Sequence, residues 1–61
     1  MKEFRCFYPA TGKTLDRLRW IQNSLPCIVT VHRMTEDHML EVSIFCMGVT
    51  CEAVQKEIEK L

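Results

Sequence analysis

The spacing of apolar residues along this chain changes three times, and the breakers between the changes allow one order of elements. Phe4, Cys6 and Tyr8 alternate with Glu3, Arg5 and Phe7, the period-two pattern of a half-buried strand, which Pro9 and Gly12 stop. A strand is expected over residues 2–8. From Thr14 the spacing lengthens to Leu15, Leu18, Ile21 and Leu25, a helical stripe with Thr11 or Thr14 as N-cap and Pro26 preventing continuation. That places a helix over 13–24. Cys27, Val29 and Val31 then alternate with Ile28, Thr30 and His32, Thr35-Glu36-Asp37-His38 reads as a polar turn, and Leu40, Val42, Ile44 and Cys46 alternate with Met39, Glu41, Ser43 and Phe45. Two strands joined as a hairpin follow. Gly48 ends the third strand, Thr50 is the expected N-cap of a second helix with Val49 and Val54 as its hydrophobic staple, and Cys51, Val54, Ile58 and Leu61 form its apolar stripe.

The order β-α-β-β-α defines an α+β domain spanning all 61 residues. Crossover handedness sets the first two strands parallel, and the commonest sheet for this order inserts the third between them, giving an antiparallel sheet of order 1-3-2 with both helices on one face. In topology the chain resembles a ferredoxin-like unit without its last strand, which implies an open edge on the first strand. With the hairpin tip at Glu36 and Asp37, Val31 faces Val42, Val29 faces Ile44 and Cys27 faces Cys46 on the helix side. The opposite face then pairs Ile28 with Phe45, Thr30 with Ser43, His32 with Glu41 and Met34 with Met39, with Phe7 and Met47 nearby. Phe7, Ile28, Met34, Met39 and Phe45 make that face half apolar, so it is the expected surface for a second copy or a partner.

Composition narrows the class. The chain is 48% hydrophobic and 26% charged, too apolar for disorder and too evenly charged for a membrane span. A formal charge of zero argues against a general phosphate binder, yet residues 1–33 hold six of the eight cations and residues 34–61 six of the eight acids. Either the halves neutralise each other between neighbouring helices, or a basic surface is left for an acidic partner. The N-terminus has no apolar run of signal-peptide length, which predicts a cytoplasmic protein with free thiols. Cys6, Cys27, Cys46 and Cys51 contain no C-x-x-C, and only the last two are close, so neither a zinc knuckle nor another cofactor is expected.

Few constellations suggest chemistry. Gly12-Lys13-Thr14 lacks the first glycine of a phosphate loop, because Phe7 stands in its place. His32 and His38 flank Glu36 and Asp37, but one lies on a sheet face and the other in a turn, so no metal site is expected. Cys51 follows the expected cap, a position found for reactive thiols, but it also opens the apolar stripe and reads as a packing residue. Trp20 is the most informative side chain. It lies opposite the helix-one core stripe and shares the outer face with Lys13, Arg17 and Ser24, at i, i+4, i+7 and i+11 from Lys13.

Tryptophan and arginine are the commonest hot-spot residues, so Trp20, Arg17, Lys13 and Ser24 are the expected partner-binding set. The chain reads as a small non-enzymatic interaction module, a homodimer that regulates or inhibits a larger protein, comparable in size to inhibitors encoded by phages, with no membrane partner. One alternative is a nucleic-acid binder using the basic first helix, with Trp20 and Phe7 as stacking surfaces. Another is a cysteine-based metal or redox protein.

Overall fold

Each expected element forms. In the computed structural model, which describes residues 1–60, the chain runs β1 (Lys2–Pro9), α1 (Gly12–Ser24), β2 (Ile28–Met34), β3 (Met39–Cys46) and α2 (Thr50–Glu59). The sheet order is β1-β3-β2, and both pairings are antiparallel. No helix among the described residues is long and apolar enough to cross a membrane.

Alternation decides what β3 buries. As the central strand it is covered on one face by the helices and hemmed by neighbours on the other, so Val42, Ser43 and Ile44 are all fully enclosed. The helix-side core joins Val42, Ile44, Leu40 and Cys46 to Tyr8, Leu18 and Val54, with Phe4, Cys6, Val29, Cys51 and Ile58 packed around them. Both helices therefore lie on one face. The β1–β3 register sets Phe4 against Ile44, Cys6 against Val42 and Tyr8 against Leu40, which keeps the even positions of both strands on that side.

Thr11 caps α1: its hydroxyl accepts from the Thr14 backbone N–H at 3.2 Å. The apolar stripe of α1 differs from the expected one at its first turn. Thr14, Leu18 and Ile21 are buried, whereas Leu15 is 46% exposed. The helix is rolled so that Arg17 reaches α2, which carries Leu15 to the flank beside Val31 and Gln22 of a shallow groove over β2. Gln22 uses this position to accept from the Val29 N–H at 3.1 Å, satisfying an edge-strand donor.

Three local expectations are corrected. The hairpin register holds from Ile28–Phe45 to Val31–Val42, then slips at His32, so Arg33 faces Glu41 and Met34 faces Leu40. This bulge puts His32 and Arg33 together on the open face and turns Met34 towards the helix side, away from Met39. Thr50 is the first helical residue of α2 rather than its cap; Val49 holds the cap position in helical geometry, and at 85% exposure it staples nothing. The chain enters α2 through a tight turn instead, with Cys51 N–H bonded to the Gly48 carbonyl, and Gly48 at φ 62° supplies the left-handed conformation that turn needs. Cys27 lies before β2 and its thiol donates to the Ile21 carbonyl, so it forms no cross-strand pair with Cys46. The expected place of Leu61 on the α2 stripe lies outside the described residues.

Tyr8 carries a polar defect in this core. Its hydroxyl is buried without a hydrogen-bond partner among the described residues, and burial, with Cys6 beside it, pushes the phenol pKa up. An unsatisfied buried hydroxyl costs about 1–3 kcal/mol, so Tyr8→Phe should raise stability in urea denaturation by about 1 kcal/mol. A loss of that size would show that the hydroxyl has a partner.

Candidate binding groove

The first turns of α1, the end of β1 and the end of α2 meet around an open groove of about 690 Å³. Pro9 and Trp20 give it apolar surface, while Lys13, Asp16, Arg17 and Lys60 bring charge to its walls. The volume falls in the range of ligand clefts. Its position follows from helix geometry, because Lys13, Arg17 and Trp20 fall on one face of α1 at spacings of four and three residues.

Arg17 organises the site. Its Nη2 donates to both carboxylate oxygens of Glu57, at 2.6 and 3.0 Å, and thereby ties α1 to α2. The guanidinium also lies over the Trp20 ring, 4.5 Å from its centroid. Glu57 is the more enclosed partner, with its side chain 10% exposed, and Lys60 adds a second cation at 3.5 Å. Such a carboxylate would be unfavourable without its cations. Trp20 keeps 47% of its surface exposed despite the guanidinium over its ring. Lys13 makes no ion pair among the described residues.

Three of the four helix-one residues expected from the sequence therefore line one groove: Lys13, Arg17 and Trp20. Ser24, at the far end of α1, is exposed and does not line it. Pro9, Asp16, Lys60 and the anchoring Glu57 were not singled out in the sequence. Glu57 had a signal, since it sits between Val54 and Ile58 on the inner side of α2, where a carboxylate requires a cation.

The open sheet face keeps Phe7, Ile28, Met39 and Phe45 of the expected apolar set and joins its polar residues into a network. Its centre is a polar ladder. Ser43 donates to Glu3 Oε2 at 2.5 Å and lies 2.7 Å from His32 Nε2, while Glu41 holds Arg33 at 2.9 Å and Arg5 at 3.5 Å. Because the Ser43 proton goes to Glu3, His32 Nε2 is the donor in the second bond. Phe7 and Met39 lie at one end of the ladder, and Ile28 and Phe45 at the other. Although serine, histidine and a carboxylate meet here, both partners bond the serine and the carboxylate does not orient the imidazole. This is not the hydrogen-bond order of an acyl-transfer triad, and Ser43 is fully enclosed.

No protein-family model matches the chain, and neither the curated proteins nor the solved structures yield a match.

The Ser43 hydrogen bond, aided by Arg5, holds the Glu3 carboxyl below the usual glutamate range of about 4.3. A depressed folded-state pKa contributes stability above the unfolded value and loses it as pH falls through the folded one. Glu3→Gln should thus be less stable than the parent at pH 7, with the difference closing in urea titrations as pH falls below the usual glutamate range. A difference independent of pH would contradict the ladder.

Proposed function

We propose that this protein is a non-enzymatic interaction module that docks a segment of a larger protein in the Trp20 groove and regulates that protein by occupying its surface. The observation that carries the reading is the exposed Trp20 ring, held in place by an arginine that is itself anchored across the helices. A rigid aromatic beside fixed charge suits an interface hot spot, because little side-chain freedom remains to be lost on binding. The groove favours a partner segment with an apolar or aromatic side chain for Trp20 and Pro9, flanked by a carboxylate for Lys13.

A nucleic-acid ligand is less well supported. Asp16 stands in the groove wall and Glu57 already engages Arg17. One of the three cations of α1 is thus neutralised and another stands beside an acid, which weakens the attraction for a run of phosphates. Self-association through the open sheet face is the weaker reading, since the polar ladder separates its exposed apolar ends.

Trp20 is the single tryptophan of the chain, so its fluorescence reports on the groove directly. A protein captured from extracts of the native host, once purified, should shift Trp20 emission to the blue on titration. Trp20→Ala should weaken that binding roughly 30-fold or more, and Lys13→Glu several-fold less, with unfolding transitions kept. Undiminished capture by Trp20→Ala would overturn the site. Oligonucleotide binding that falls steeply with salt would overturn the choice of a protein ligand.

A further inference from the structure

A second chemical feature lies at the opposite end of the sheet and is independent of the groove. Cys46 is the last residue of β3 and Cys51 is in the first turn of α2, and their Sγ atoms are 2.8 Å apart. Only a short shift separates that contact from the bond length of a disulfide, about 2.05 Å. The two thiols differ in access. Cys46 is buried, whereas Cys51 is partly exposed. Beside them an apolar groove of about 440 Å³, lined by Pro26, Cys27, Ile28, Phe45, Cys46 and Met47, opens onto the same corner. The connecting residues Met47 and Val49 are exposed and pack little, so they can follow a small movement of either sulfur.

We propose that Cys46 and Cys51 form a redox-active dithiol that is converted to an intramolecular disulfide by small disulfides such as oxidised glutathione. The more accessible Cys51 reacts first: it loses its proton to solvent, and its sulfur lone pair attacks one sulfur of the reagent. The reagent's S–S bond breaks, one equivalent of glutathione leaves and takes up a proton, and a mixed disulfide remains on Cys51. Cys46 then gives up its proton and attacks the Cys51 sulfur, releasing the second glutathione. Two protein thiols are oxidised and one glutathione disulfide is reduced to two thiols, so the exchange balances. Burial, with the Cys51 thiol beside it, pushes the Cys46 pKa up to about 11, which suits Cys46 to the second, intramolecular step rather than to capture of the reagent from solvent. Cys27 stays out of the reaction because its thiol is directed to the Ile21 carbonyl, and burial pushes its pKa up as well.

The test is to expose the reduced, folded protein to oxidised glutathione, quench with acid, alkylate the remaining thiols under denaturing conditions and map tryptic peptides. The expected product is the peptide of residues 34–56, which contains both cysteines, unalkylated and lighter by two hydrogens, with Cys6 and Cys27 alkylated and the parent peptide restored by dithiothreitol. Cys46→Ser should accumulate glutathione on Cys51. Cys51→Ser should slow loss of the Cys46 thiol roughly tenfold or more, and Cys27→Ser should change nothing. A wild-type protein that keeps glutathione on Cys51, links another pair of cysteines or shows no crosslink at any glutathione ratio would overturn the proposal. Because the readout is on the wild-type chain, poor folding of a variant does not remove the test.

Discussion

Arg17 and Glu57 are forty positions apart in the chain, and the ion pair between them sets much of what surrounds it. Glu57 lies on the inner side of α2, where an unpaired carboxylate would be strongly unfavourable. Arg17 must therefore turn inward along the helix interface, and that roll carries Thr14 into the core and Leu15 out of it. It also lays a guanidinium over Trp20 and leaves the ring at the rim of a groove instead of collapsed onto the helix. Removing Arg17 would leave Glu57 with only the longer Lys60 contact, and removing Glu57 would leave the guanidinium without its anchor on α2.

The same pairing explains how a neutral chain with a basic first half and an acidic second half folds. Arg17 meets Glu57 between the helices, and Arg5 and Arg33 both meet Glu41 on the open sheet face. Three cations of the first half thus close onto two acids of the second. Half of the first-half cations and a third of the second-half acids are matched in this way, and at the groove Lys13, Asp16 and Lys60 stand around an aromatic ring. That arrangement suits a short protein segment better than a polyanion. The cysteine corner, at the other end of β3, shares no residue with this network.

The element order was legible because each period is carried by several residues and each boundary by a proline, a glycine or, at the hairpin, the polar run Thr35-Glu36-Asp37-His38. Phe4, Cys6 and Tyr8 cannot read as a helix, and Leu18, Ile21 and Leu25 before Pro26 cannot read as a strand. The strand directions followed from crossover handedness and the strand order from the commonest sheet for this succession of elements, neither of which depends on side-chain detail. Other features depend on contacts between distant parts of the chain and escaped a local reading. The bulge at His32 brings both Arg33 and His32 to the open face, where Glu41 and Ser43 bond them, and nothing in the local alternation announces it. At the groove, the outward stripe of Lys13, Arg17 and Trp20 could be read from α1 alone, whereas Pro9 and Lys60 come from elements whose placement only packing decides. The Cys46–Cys51 contact arises from the tight entry into α2 at Gly48, where the sequence suggested a threonine cap.

The claim that Arg17 and Glu57 act as one unit is open to a double-mutant cycle. Stability would be measured by urea denaturation for the parent, Arg17→Met, Glu57→Gln and the double variant. For a charge-assisted pair with one largely enclosed partner, the account predicts a favourable coupling of about 1–2 kcal/mol, with the double variant less destabilised than the sum of the singles. Additive effects, with coupling indistinguishable from zero, would show that the helices are held by apolar packing alone and that Arg17 does not fix the groove.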